Sequence, residues 1–241
     1  MAPERRYRMD KPALKRGDLL VARVAAGAPD ETSYALLNAF FSGYPIDRLR
    51  RLLLSDSDTA VRGGAWIASE LGERARPLLG DLVTLLTAPT RDVRFFVLDA
   101  IVASASEADG EAVAAAVDKI RDPEQAVRWN AMNYLVRASR EVLSSSVAYA
   151  KFQPLSEAVR WFLKQDAHPD IVAVTRRLQD QDQLRRLVAA SAAARLRGQD
   201  PSALRFAAES PDAEVRSFAR EHLDTLAGGG GATAGSAPRV P

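Results

Sequence analysis

The chain has 241 residues, of which 47% are hydrophobic and 27% are charged, which is the usual composition of a globular protein. Its net charge of +2 gives little support for binding to nucleic acid or to an anionic membrane. The absence of cysteine excludes disulfides, thiolate zinc sites and a cysteine nucleophile, and with only two histidines we expect no metal site and no cofactor.

The N-terminal residues 1–18 are predicted to form a basic arm. Six basic residues lie between positions 5 and 16, around Pro12. This arm is either a solvated segment or a contact surface for a partner, and the sequence leaves both open. The first ten residues contain no apolar run typical of a secretory signal, and the chain has no apolar run of the roughly 18–20 residues that cross a bilayer. We therefore expect a cytoplasmic protein without membrane contact.

Residues 19–226 are predicted to form one helical domain, since prolines and glycines cut it into pieces of helix length. Residues 19–45 resemble a divergent capping pair of helices with a turn at Gly43-Tyr44-Pro45. Farther on, Asp122-Pro123 and Ser210-Pro211 combine a capping side chain with a proline at the predicted first helical position. The sequence contains no alternating runs of β-branched residues, so it predicts no strands. Residues 227–241 form a Gly/Ala/Pro tail that we expect to be disordered.

A Val-Arg pair recurs within the helical domain. Its valines are spaced 32, 34, 32 and 56 residues apart, and the last interval contains a degenerate copy near Leu184-Arg185. Each copy follows an apolar segment of helix length. The full copies begin at Val61-Arg62, Val93-Arg94, Val127-Arg128, Val159-Arg160 and Val215-Arg216. A period of this length predicts a repeat of two helices.

This period and the Val-Arg pair resemble the HEAT family of α-solenoids. The resemblance implies an all-α, right-handed superhelical solenoid of about five to six helix pairs. In that family an Asp precedes the Arg in the inter-helix turn; Asp56 and Asp122 match it, six residues before their arginines. Ala88, Pro154 and Ser210 take this place in other copies, which predicts a broken Asp–Arg ladder.

The repeat arginines have two interpretations. A row of arginines is able to bind phosphates or an acidic partner. The alternative, which we favour, is a structural ladder in which each arginine bonds a carboxylate or carbonyl of a neighbouring turn. The predicted structural arginines are Arg62, Arg94, Arg128, Arg160 and Arg216.

Large side chains are expected on the opposite side of the second helices. The position two residues after each valine points about 160° away from it, toward the concave groove. The resulting candidate binding stripe comprises Trp66, Phe95, Trp129, Met132, Asn133 and Trp161. The stripe is either an exposed binding surface or buried core, because a solenoid helix has neighbours on several sides.

Motifs of nucleotide binding, serine hydrolysis and zinc proteolysis are absent from the sequence. We therefore predict a non-enzymatic scaffold or adaptor that binds an unidentified protein or peptide in its groove. The segment 40–46 together with 64–72 also resembles uncharacterised bacterial HEAT-like proteins, which implies a toxin-immunity protein as an alternative. A second alternative is a nucleic-acid-binding protein similar to HEAT-like glycosylases, although no Trp/Asp pair could be assigned from the sequence.

Overall fold

The computed structural model describes residues 10–227, and every regular element within this range is helical. The α-helices are α1 (Lys11–Ala25), α2 (Asp30–Phe41), α3 (Arg50–Leu53), α4 (Asp58–Leu71), α5 (Leu79–Leu85), α6 (Arg91–Ser104), α7 (Gly110–Asp118), α8 (Gln125–Arg137), α9 (Arg140–Ser146), α10 (Gln153–Ala167), α11 (Ile171–Arg177), α12 (Gln183–Leu196), α13 (Ser202–Ala207) and α14 (Ala213–Ala227). Short 3₁₀ segments cover Ile46–Leu49, Gly72–Leu78, Glu107–Asp109 and Lys119–Arg121. The predicted all-α solenoid of helix pairs is confirmed.

The chain divides into two compact units, and the boundary lies inside α10 between Leu163 and Lys164. In the first unit, α2, α4, α6 and α8 pack side by side and form a layer of second helices. A layer of first helices, α3, α5, α7 and α9, lies on the other side, and the core lies between the two layers. In the second unit α11 packs on α12 and on α13, while α14 packs on α12 and α13.

The first helix begins inside the segment that was predicted to be an arm. Asp10 caps α1, because its carboxylate accepts a hydrogen bond of 2.9 Å from the amide of Ala13. Pro12 lies in the first turn, where its missing N–H costs no hydrogen bond. The helical residues therefore start at Lys11 rather than after residue 18. Residues 1–9 and 228–241, which include half of the predicted arm and nearly all of the predicted tail, lie outside the described residues.

The proline-containing turns differ from the sequence prediction. Asp122 accepts a hydrogen bond of 3.0 Å from the amide of Glu124, and the Ser210 hydroxyl accepts one of 3.2 Å from the amide of Asp212. Each side chain thus closes a tight turn two residues long, and α8 and α14 begin only after it. The prediction that Pro123 and Pro211 are each the first residue of a helix is therefore wrong.

Gly64 allows α4 to lie directly against α3. A Cβ atom at Gly64 would be 2.8 Å from Cβ of Leu52 and 3.2 Å from the backbone nitrogen of Leu53. We expect Gly64→Ala to lower the free energy of unfolding by about 1–3 kcal/mol, because the two helices must separate. The measurement is urea denaturation followed by circular dichroism.

Gly80 in α5 provides the matched control, because a Cβ there meets no atom within 4 Å. Gly80→Ala should raise the free energy of unfolding by about 0.5–1 kcal/mol, since alanine loses less backbone entropy in a helix. Equal effects of the two substitutions would contradict the close contact at Gly64.

Candidate functional site

Aromatic side chains line the outward surface of the second-helix layer in the first unit. Tyr34 in α2 is exposed, while Trp66, Phe95 and Trp129 in the next three second helices are half-buried. On each helix a polar side chain follows the aromatic residue by four positions, which places both on the same face. We call this surface the aromatic face; it consists of Tyr34, Trp66, Phe95 and Trp129 with Asn38, Glu70, Asp99 and Asn133.

The rings of the aromatic face contact one another or nearby rings at the N-terminal side of the unit. The ring centroids of Tyr34 and Trp66 are 4.8 Å apart at an interplanar angle of 73°, an edge-to-face contact between α2 and α4. Phe95 makes a similar contact with Phe96, at 5.9 Å and 76°. These contacts limit the motion of the Tyr34, Trp66 and Phe95 rings.

Of the remaining residues of the predicted stripe, Trp161 has the same partial exposure as the aromatic face, and Met132 differs. Trp161 is part-exposed on α10, at the repeat position that Phe95 and Trp129 occupy in α6 and α8. Met132 is fully buried and does not join the face. It occupies the position of Leu98 in α6, which is also fully buried, whereas Trp66 at this position in α4 is half-buried.

Asp99 is the most unusual charged group of the aromatic face. It lies largely buried on α6, and this burial raises the pKa of its carboxyl group above the ordinary range. The charge of Arg137 and the nearby side chain of Asn130, both on α8, oppose that rise without cancelling it. At Asp99 the effect of burial therefore outweighs that of the two neighbouring side chains.

We expect the stability of an Asp99→Asn variant relative to the wild type to depend on pH. Because the folded pKa of Asp99 is raised above its unfolded value, the wild type loses stability as the pH rises through the folded pKa, and asparagine does not. The free energy of unfolding of the variant minus that of the wild type should thus be larger at pH 7 than at pH 3.5. Urea denaturation at a series of pH values measures this difference. Asn133→Ala, which removes an uncharged side chain at the same position of α8, should show no such trend.

The repeat arginines fasten the turns that precede the second helices. Nη1 of Arg94 donates to the carbonyls of Ala88 and Pro89, at 3.0 and 2.9 Å. Arg128 and Arg216 bond the carbonyls at the same two positions of their own turns, and so does Arg186. The degenerate copy is therefore centred on Arg186, one residue later than the sequence predicted, because the geometry of the turn decides which arginine reaches it.

The remaining guanidinium nitrogens link consecutive repeats. Arg62 contacts Asp92 at 3.1 Å, Arg94 holds Asp122 through two hydrogen bonds of 2.8 and 2.9 Å, and Arg186 holds Asp212 at 2.9 Å. The expected break in the ladder is absent at these places, because Asp92 in the first turn of α6 and Asp212 just before α14 take the role that Asp122 has in its own turn. Arg160 differs: it is exposed on α10, where residues 154 and 155 are already helical and supply no turn carbonyls.

Sequence reasoning missed half of the aromatic face. It identified Trp66, Phe95, Trp129 and Asn133, but not Tyr34, nor the polar residues at positions 38, 70 and 99. The available signal was the aromatic residue followed after four positions by Asn, Asp or Glu, which recurs in α2, α4, α6 and α8. The prediction started from the Val-Arg pair, which α2 lacks.

No family model and no curated protein matches this sequence. Among solved structures, the chain is similar to an engineered protein from a structural genomics consortium, with 17% identity over 93% of this chain and 94% of the other, at a TM-score of 0.44. A second engineered protein from the same consortium has 17% identity over 88% and 63% of the two chains, at a TM-score of 0.43. A designed armadillo repeat protein has 17% identity over 91% and 96%, at a TM-score of 0.45. Within residues 10–227, no helix is long and apolar enough to cross a membrane.

Proposed function

We propose that this chain is a non-enzymatic binding protein that holds a segment of another protein across its aromatic face. The observation that carries the proposal is the recurrence of one aromatic and one polar side chain, a helical turn apart, on four neighbouring second helices. Partly exposed aromatic residues on a firm scaffold are typical of the side chains that dominate binding energy.

The spacing of the helices favours an extended partner. Packed helices lie about 8–10 Å apart, and an extended chain advances about 3.3 Å per residue. A partner that crosses from α2 to α8 therefore needs about eight residues, with about three residues per helix. Such a segment is able to place side chains between successive rings.

The polar residues of the aromatic face suit the backbone of such a segment. Asn38 and Asn133 each carry an amide that donates and accepts hydrogen bonds, whereas the carboxylates of Glu70 and Asp99 accept only. An extended segment leaves its own N–H and C=O groups free along its length, and these must be bonded when water is excluded. The face supplies both kinds of partner at regular intervals.

The test begins with selection of binders from a displayed library of random ten-residue peptides on the wild-type chain. We expect a Phe95→Ala/Trp129→Ala variant to weaken the binding of the selected peptides by about 30-fold or more, since the loss of even one aromatic anchor costs about 2 kcal/mol. Circular dichroism establishes that the variant remains folded, as expected for side chains that are only half-buried.

Leu54→Ala is the control, because Leu54 is an exposed apolar residue at the end of α3, in the first-helix layer. It should leave peptide affinity unchanged. Peptides that bind the Phe95/Trp129 variant as tightly as the wild type would contradict the proposed function.

A further inference from the structure

A cavity of about 360 Å³ lies on the first-helix side of the first unit, away from the aromatic face. Its apolar wall includes Val83 of α5 and Leu86 just after that helix, Ala115 of α7 and Leu155 of α10. The segment between α9 and α10 forms its rim with two large aromatic side chains, Tyr149 and Phe152, which are 54% and 37% exposed. The volume is within the range of sites for small organic ligands.

The rim is held firmly against α7. A Cβ atom at Gly110 would lie 2.6 Å from the carbonyl oxygen of Ser145 and 2.7 Å from the ring of Tyr149, so only glycine permits this approach. On the other side of the rim, the guanidinium of Arg121 lies over the ring of Phe152 at 3.9 Å from its centroid. Both aromatic side chains are thus positioned without a ligand.

One end of the cavity carries basic side chains whose N–H donors are not all used by hydrogen bonds within the part of the protein that the structure describes. The side chain of Lys119 is only 15% exposed, and its ammonium is 3.9 Å from Asp122, a carboxylate that Arg94 already holds through two shorter bonds. Among the described residues, Arg121 uses only Nη1, which donates to Asp118 at 2.9 Å. Lys151, exposed on the rim, is a third cation among the residues that line the cavity.

The acidic residues that line the cavity do not neutralise the positive charges at this end. Asp118 is engaged by Arg121, at the surface. Glu111 lies on the same helix seven residues earlier, which is about 10 Å away along the helix axis. A ligand that enters beside Ala115 therefore meets an apolar wall and a set of cations at one end.

From this arrangement we propose that the cavity binds an organic carboxylate with an apolar body about the size of one aromatic ring. The carboxylate pairs with Lys119 and with the free nitrogens of Arg121, and the apolar body contacts Val83, Leu86 and Tyr149. The same chemistry is present in a small acid and in the C-terminus of a peptide that ends in an apolar residue.

The probes are 4-phenylbutyrate and 4-phenylbutylamine, which share their apolar body and differ in the sign of their charge. We expect the acid to bind the full chain at least about tenfold more tightly by calorimetry. Lys119→Met should weaken the acid by about tenfold or more, because it removes a charged hydrogen-bond donor while retaining the apolar stem. Lys15→Met, which removes an exposed lysine of α1, is the matched control and should change nothing.

A second variant, Ala115→Trp, fills the cavity from its wall and should abolish binding while the thermal transition of the protein persists.

The tripeptide Ala-Ala-Phe with a free or an amidated C-terminus distinguishes the two sources of the carboxylate. Binding of the free form alone identifies a chain terminus as the ligand. Binding of phenylbutyrate without binding of the peptide identifies a small acid. Equal affinity for the acid and the amine, or full affinity of Ala115→Trp for the acid, would overturn the proposal.

Discussion

Replacement of Arg94 by alanine is expected to lower the free energy of unfolding by about 3–5 kcal/mol, the usual cost of removing one partner of a buried ion pair. The side chains of Arg94 and Asp122 are 10% and 2% exposed, so water replaces little of the lost interaction. The substitution also removes the bonds to the carbonyls of Ala88 and Pro89. Urea denaturation at pH 7 measures the loss.

The stability of Arg94→Ala should come closer to that of the wild type at acidic pH. Burial alone raises the pKa of the Asp122 carboxyl, but the hydrogen bonds from Arg94 and from the Glu124 amide, with the charges of Arg94 and Lys119, together hold the pKa below its ordinary value. A folded pKa below the unfolded value of about 3.9 means that this stabilisation is complete above that pH and is lost as the pH falls through the folded pKa. The difference in the free energy of unfolding between Arg94→Ala and the wild type should therefore narrow only at strongly acidic pH.

Arg62→Ala is the matched control for Arg94→Ala. Arg62 takes the same place in the preceding repeat and pairs with Asp92, but its side chain is 59% exposed. Solvent screens such a pair, so its loss should cost only about 0–1 kcal/mol. If Arg62→Ala and Arg94→Ala destabilised the protein equally, burial would not be the reason that the Arg94–Asp122 pair is stronger than the Arg62–Asp92 pair.

The second large effect is expected at Tyr44. Its side chain is fully buried, its ring contacts Phe40 at 5.2 Å, and a Cβ atom at Gly17 of α1 would collide with it. Tyr44→Ala should lower the free energy of unfolding by about 3–5 kcal/mol, because it leaves a cavity where α1 meets α2 and the following turn. Thermal and urea denaturation monitored by circular dichroism measure the effect.

Tyr44→Phe separates the ring from the hydroxyl group. The hydroxyl donates a hydrogen bond of 2.7 Å to Asp18, and burial and this bond raise the pKa of Tyr44, so the phenol remains a donor over the physiological range. Phenylalanine retains the packing and should cost only about 1 kcal/mol. A loss as large as that of Tyr44→Ala would mean that the hydrogen bond, not the ring, holds α1 in place.

The helices and their period could be predicted from the sequence because their causes are local. Apolar residues recur at helical spacing, prolines and glycines separate the pieces, and the Val-Arg pair marks one turn per repeat. The aromatic residues Trp66, Phe95 and Trp129 were found in the same way, since their angular position on a helix follows from counting residues.

The remaining features depend on contacts between residues far apart in the chain. Met132 and Trp129 lie on one helix, and only the neighbouring helix decides that the first is buried and the second half-exposed. Tyr44 was predicted to lie in a turn, yet Gly17, 27 residues earlier, makes the space that buries it.

The sequence by itself determined a chain of helix pairs, with one structural arginine in most repeats and a row of large side chains opposite. Tertiary structure alone decided that Arg186 rather than Arg185 is the repeat arginine, that Asp92 and Asp212 continue the ladder, and that Tyr149 borders a cavity on α7. The physical reason is that helix formation depends on neighbours within a few residues, whereas burial, ion pairing and cavities depend on which helices pack together.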